Sequence, residues 1–165
     1  MALSDDAIRR ICEQMARYPQ ARSALMPALY IAQDECGGWI PTEAVDQIAD
    51  VMSLEAGDVQ ATMSFYTMYY KRPKGRYLLE ICQNVACTLL GAQQLIDHLQ
   101  QQLGIAPGET TEDGLFTLRL AECMASCGGA PAVQVNSLYH EHMTVEKLDA
   151  LLDQLRAAAT NGEGA

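Results

Sequence analysis

The sequence holds no apolar run approaching the roughly 18 to 20 residues that span a bilayer, and its acidic and basic residues are far from balanced, 21 Asp and Glu against 11 Lys and Arg. The first absence speaks against membrane insertion. The net charge of -10 gives no electrostatic reason to approach phosphate backbones or anionic lipid, so nucleic acid and membrane surfaces are not expected partners. The opening residues, Met1-Ala2-Leu3-Ser4-Asp5-Asp6, lack the basic and apolar regions of a signal peptide, and a soluble, cytoplasmic chain is expected. No G-x-G-x-x-G or Walker-type glycine loop is present, so no nucleotide site is expected in this chain. There is no C-x-x-C motif either, which argues against a thiol-disulfide oxidoreductase. Internal repeats are absent.

What is present is enough apolar sequence, 49% of 165 residues, to bury a core as one domain or two small ones. Ser4 is placed to cap a helix carrying Ile8, Ile11, Cys12 and Met15 on one face. A second helix, from Ser23 to Glu35, aligns Leu25, Ala28, Leu29 and Ala32, tolerates Pro27 near its first turn, and stops at Gly37-Gly38. Thr42 opens a third with Val45, Ile48, Ala49 and Met52 inward, and Val59, Met63, Tyr66 and Tyr70 mark a fourth. Phe65 and Tyr66 are expected in this helical core. The basic connector Lys71-Arg72-Pro73-Lys74-Gly75 then breaks the pattern.

Beyond it, Tyr77 to Ile81 reads as a buried strand leading into Cys82. A helix follows, with Thr88 as its cap and Ala92, Leu95, Ile96, Leu99 and Leu103 as its stripe. Leu115 to Ala121 alternates as a strand, with Phe116, Leu118 and Leu120 on one face and Thr117 and Arg119 on the other. Pro131 to Val135 and Leu138 to His140 form a hairpin about Asn136-Ser137, and Thr144 opens a last helix. The expected class is α+β: a helical domain over residues 1–72, an α/β domain of thioredoxin type over 76–158, and a mobile tail, 159–165.

Six cysteines in a cytoplasmic chain suggest metal ligands, catalytic thiols or small buried side chains rather than disulfides. Cys12 and Cys36 read as non-ligand thiols that behave as small hydrophobes. The other four fall into two pairs, Cys82 and Cys87 with four residues between them, and Cys123 and Cys127 with three. Each pair follows a strand, and strands ending at one sheet edge bring their loops together. Four thiolates suit zinc and iron-sulfur clusters alike. The longer loops favour the larger object, with each pair chelating one iron. Gln83-Asn84-Val85-Ala86 and Met124-Ala125-Ser126 carry no charge, and Gly128-Gly129 either leaves main-chain N–H groups free to point at sulfur or simply makes a turn. His98, His140 and His142 are expected to be solvated or structural.

The cysteine loops, Gly38-Trp39-Ile40-Pro41, Ser64-Phe65-Tyr66, the stretch Gly104 to Thr111 with Asp113-Gly114, and Ala130 to Asn136 together make the chain, over residues 3 to 157, resemble the small [2Fe-2S] subunit of bacterial NADH:quinone oxidoreductase, which is respiratory complex I. The resemblance implies a helical region followed by a thioredoxin-like ferredoxin domain, with one [2Fe-2S] cluster on Cys82, Cys87, Cys123 and Cys127. It implies an electron taken from FMN in a partner flavoprotein that oxidises NADH, and no NADH or quinone site here. The setting would be a peripheral arm on the cytoplasmic side of the inner membrane. NAD-dependent formate dehydrogenases and NAD-reducing hydrogenases reuse the same module. A zinc-stapled adapter without redox activity is the competing reading of the cysteines.

Overall fold

A computed structural model describes residues 2–160. The chain divides into two compact units, residues 1–73 and 74–165, each with its own apolar core.

The first unit is helical: α1 (Asp5–Met15), a single 3-10 turn at Ala21–Ala24, α2 (Leu25–Glu35), α3 (Thr42–Met52) and α4 (Ala56–Phe65). Ser4 caps α1, its Oγ accepting the Ala7 N–H at 3.2 Å. The buried line of α1 runs through Ala7 and Ile11, with Ile8 and Met15 half-buried at its margin. Cys12 is therefore exposed rather than part of the apolar stripe. Pro27 is the third residue of α2, where its missing N–H costs nothing. That helix ends as Gly37 and Gly38 take positive φ and the Gly38 N–H reaches the Gln33 carbonyl at 2.7 Å. Cys36, at the end of α2, is buried.

The fourth helix departs from expectation. It stops at Phe65; Tyr66 is extended, and Tyr70 lies beyond the helix. Once the helical period ends, i+4 spacing no longer keeps residues on one face. Phe65 is 78% exposed instead of core, Tyr66 is half-buried, and Tyr69 fills the interior, its hydroxyl donating to the Met26 carbonyl at 3.0 Å. The buried Gln33 amide holds this segment, donating to the Met68 carbonyl and accepting the Tyr70 N–H at 2.7 Å.

The second unit contains β1 (Tyr77–Cys82), α5 (Val85–Leu89), α6 (Ala92–Leu103), β2 (Phe116–Ala121), β3 (Val133–Val135), β4 (Leu138–His140) and α7 (Val145–Thr160). Its sheet has the order β2-β1-β3-β4. β1 and β2 are parallel, paired from Tyr77 with Phe116 to Cys82 with Ala121; β3 is antiparallel to β1 and to β4. Leu95, Ile96 and Leu99 of α6 and Leu148, Leu151 and Leu152 of α7 share one core with Leu79, Ile81, Phe116 and Leu118 of the sheet. His98 Nε2 and Asp149 Oδ1, 2.6 Å apart, tie α6 to α7.

One expected helix is two. Gly91, at φ +103°, separates α5 from α6, a conformation that costs glycine little and other residues much. Thr88 is accordingly no cap: it lies within α5 and its hydroxyl donates back to the Gln83 carbonyl at 2.9 Å. Asn84 is the cap, accepting the Val85 N–H at 2.9 Å. Thr117, expected on the polar face of β2, is buried because its Oγ accepts the Gly75 N–H at 2.6 Å and pairs with the Thr110 hydroxyl. The strand β3 begins at Val133, after a cis Ala130-Pro131 bond. Of the expected tail, Ala159 and Thr160 continue α7, and residues 161–165 lie outside the described residues. No helix among the described residues is long and apolar enough to cross a membrane.

Candidate metal centre

Parallel pairing makes β1 and β2 end level at one edge of the sheet, so the loops that leave them start side by side. Cys82 is the last residue of β1, opposite Ala121. The ladder continues past both ends: Gln83 N–H donates to the Ala121 carbonyl at 3.0 Å, and Cys82 N–H to Ala132 at 3.2 Å. Cys87 sits in the first turn of α5, its position set by the Asn84 cap. Cys123 follows β2 by two residues, and Cys127 opens a 3-10 turn, Cys127–Gly129.

Side chains stitch the two loops together. Asn84 Nδ2 donates to the Glu122 carbonyl at 2.8 Å, and Gln83 Nε2 to the Glu122 carboxylate at 3.0 Å. Cys82 and Cys87 are buried, whereas Cys123 and Cys127 are exposed, so one pair faces the interior and the other faces solvent.

Main-chain donors reach the sulfurs of Cys82, Cys87 and Cys123. Burial is the largest influence on Cys82 and pushes its thiol up, but the main-chain N–H groups of Asn84 and Met124 and the Cys87 thiol together outweigh it, leaving Cys82 below the ordinary thiol value. Cys87 is pushed above that value, first by burial and then by Cys82 and Cys127, against an opposing N–H from Ala132. Cys123 Sγ accepts the Ala125 N–H at 3.3 Å. Main-chain N–H groups thus reach sulfur in both loops, and Cys87 feels both Cys82 and Cys127. Hydrogen bonds to thiolate sulfur are among the terms that set the reduction potential of an iron-sulfur cluster. Among the described residues, no three of His, Cys, Asp and Glu gather closely enough to hold a metal ion.

Gly129 takes the turn-making role, one of the two expected of the glycine pair. The Gly129 N–H closes a turn onto the Ser126 carbonyl at 3.1 Å, and the space where its Cβ would stand is taken by the Glu141 side chain. Glu141 also accepts a hydrogen bond from the Ser126 hydroxyl, so the loop that is uncharged in sequence has a carboxylate against it in space. The signal that could have found it is the hairpin, which returns residues 141–143 alongside 129–131. Glu141 and Tyr139 help to line an open cleft of about 810 Å3 over Met124 and Ser126. Val85, Leu89 and Leu90, on and just after α5, are exposed apolar side chains near Cys87. His98 is engaged with Asp149, away from the loops.

The profile of the thioredoxin-like [2Fe-2S] ferredoxin family matches residues 11–156. The chain belongs to that family. It is 46% identical over 143 residues to an NADH-quinone oxidoreductase subunit of Rhizobium meliloti, an alignment covering 87% of this chain and 84% of that protein. It is 42% identical to a second NADH-quinone oxidoreductase subunit, from Thermus thermophilus, covering 95% of this chain and 88% of the relative. A crystal structure of an NAD+-reducing [NiFe]-hydrogenase in its H2-reduced state superposes with a TM-score of 0.71 at 26% identity, over 81% of this chain. The chain spans only 22% of that hydrogenase polypeptide. The α+β architecture is therefore that of a helical region joined to a thioredoxin-like [2Fe-2S] ferredoxin domain.

Proposed function

We propose that Cys82, Cys87, Cys123 and Cys127 hold one [2Fe-2S] cluster, and that the chain is the electron-transfer subunit of an NADH:quinone oxidoreductase. In this reading it takes one electron from the FMN of a flavoprotein partner that oxidises NADH. It works in a peripheral arm on the cytoplasmic side of the inner membrane and has no NADH or quinone site of its own.

The observation that carries the cluster is the pairing of Cys82 with Ala121, which sets two dithiol loops level and gives both of them N–H groups aimed at sulfur. A zinc ion would draw four sulfurs to about 2.3 Å from one point. A two-iron core takes them as two pairs, in keeping with the loop spacing. When bound, the cluster supplies a one-electron carrier. The protein buries Cys82 and Cys87 against solvent and leaves the Cys123–Cys127 side exposed. Val85, Leu89 and Leu90 offer apolar surface near Cys87 for a partner protein. Relatives named as NADH-quinone oxidoreductase subunits, matched over more than four-fifths of their length, support this assembly. The hydrogenase likeness supports a second one, the same module in an NAD-reducing hydrogenase, and a formate dehydrogenase would use it in the same way.

Anaerobically purified protein is expected to be red-brown, with about two irons and two labile sulfides per chain and a rhombic EPR signal after reduction. Cys123→Ala is expected to abolish that spectrum, and Cys12→Ser and Cys36→Ser to leave it unchanged. A colourless protein with one zinc, or equal loss in all three variants, would overturn the ligand set. Co-purification with a membrane arm supports the quinone-reducing assembly; a nickel or molybdenum subunit supports the others.

A further inference from the structure

We propose that Glu141 is a positioning residue for the Cys123–Cys127 loop and that its carboxylate lowers the reduction potential of the cluster. The inference rests on the four-cysteine reading above.

Three observations converge on this side chain. The first is the backbone: β3 pairs with β4 as far as Val133 with His140, and the residues that follow are pinned beside the loop. His142 N–H donates to the Gly129 carbonyl at 2.6 Å and Met143 N–H to the Pro131 carbonyl at 3.0 Å. Lys147 Nζ holds the same segment through the His142 carbonyl at 2.8 Å. The second is the carboxylate, which accepts the Ser126 hydroxyl, on the residue next to Cys127. The third is the missing side chain at Gly129: Cγ, Cδ and Oε1 of Glu141 occupy the position a Cβ would need. Glu141 therefore lies across the loop, touching it on both sides of Cys127.

Two consequences follow. The clamp lies across a loop that is otherwise open to solvent, Cys123, Ala125, Cys127 and Gly128 all being exposed. The clamp also carries charge. One-electron reduction adds a negative charge to the cluster, and a fixed carboxylate beside its ligand loop opposes that addition, though water and salt weaken the effect at an exposed site.

The experiment uses the full, cluster-loaded chain, poised with dithionite and followed by EPR. Glu141→Gln keeps the length and an acceptor for Ser126 and removes the charge. Its iron content is expected to match the parent, and its midpoint potential to rise by the equivalent of about threefold easier reduction, about 30 mV for one electron. Glu141→Asp keeps the charge and is expected to stay at the parent potential. Glu141→Ala is expected to rise like the Gln variant and to lose iron to a chelator several-fold faster. Raising the salt should lift the parent toward Glu141→Gln. An unchanged potential in Glu141→Gln with its cluster intact overturns the electrostatic role, and parent-like iron release in Glu141→Ala overturns the clamp. If Glu141→Gln cannot hold iron, Glu141→Asp decides: retention at the parent potential sustains the proposal, and loss overturns it. A parent that itself lacks two irons and two sulfides fails the cluster reading instead, a separate result.

Discussion

Asn84 and Glu122 join the two cysteine loops: Asn84 Nδ2 donates to the Glu122 carbonyl at 2.8 Å while Asn84 Oδ1 accepts the Val85 N–H at 2.9 Å to cap α5. One amide thus fixes the helix that carries Cys87 and the strand exit that leads to Cys123.

Asn84→Ala removes both bonds. The cap and the inter-loop hydrogen bond together are worth about 1–2 kcal/mol, or roughly 5–10 °C in Tm for a domain of this size. Thermal melting of the loaded protein checks the stability, and iron release to a chelator, expected to be faster than in the parent, checks the loops. Asn84→Asp keeps the cap but not the Nδ2 donor, so it is expected to recover the melting temperature in part and iron retention less.

Gly75 reads in sequence as part of a basic connector, and it is held against the start of β2, its N–H on Thr117 Oγ. A Cβ there would stand 2.8 Å from the Phe116 carbonyl carbon and 3.0 Å from the Leu115 carbonyl oxygen, main-chain atoms that cannot swing away. Gly75→Ala is expected to destabilise the sheet-containing unit by about 1–3 kcal/mol, measurable by denaturant unfolding with an unchanged m-value. A variant as stable as the parent would mean that this approach is looser than described.

Tyr69 gives the helical unit a signature at high pH. Burial, with Tyr30 and Tyr66 adding, pushes its hydroxyl from 10.0 up to about 12. Between those values the folded state keeps a proton that the unfolded state has lost, so stability is fully present below pH 10 and falls as pH rises toward 12. At pH 8, Tyr69→Phe loses the Met26 hydrogen bond, a cost of about 1 kcal/mol. By pH 11 the parent has lost about 1.4 kcal/mol through this group and the variant none, so the gap between their melting temperatures is expected to close. A gap that stays constant from pH 8 to pH 11 would contradict the assigned burial.

Much of what depends on local chemistry is legible in the sequence, although Asn84 rather than Thr88 caps the helix after β1 and Gly91 divides that helix in two. Ser4 caps α1 because a hydroxyl needs only the next turn, Gly37-Gly38 ends α2, and the spacing of the four cysteines after two strands puts them at one edge. What depends on partners distant in the chain is not. Alternation places Thr117 outward, but Gly75 and Thr110 give it an interior partner on each side. Of the apolar stripe written through Ile8, Ile11, Cys12 and Met15, Ile11 is buried and Ile8 and Met15 pack at the margin, whereas Cys12 is exposed and Ala7, outside the stripe, is buried. Tyr66 and Tyr70 follow the period of a helix that has already ended at Phe65. Glu141 becomes a neighbour of the cysteines only through the hairpin register, which the residues around the cysteines do not themselves carry.

The six-residue register between β1 and β2 also separates what this chain can vary from what it cannot. Between the strands lie α5, α6 and the turn-rich stretch from Gly104 to Gly114, and length changes beyond α5 would leave the strand ends level. A single residue inserted within β1 or β2 would reverse the facing of every side chain after it and pull the two thiol pairs out of step. Growth or trimming of this molecule is therefore tolerable around the sheet and intolerable along it.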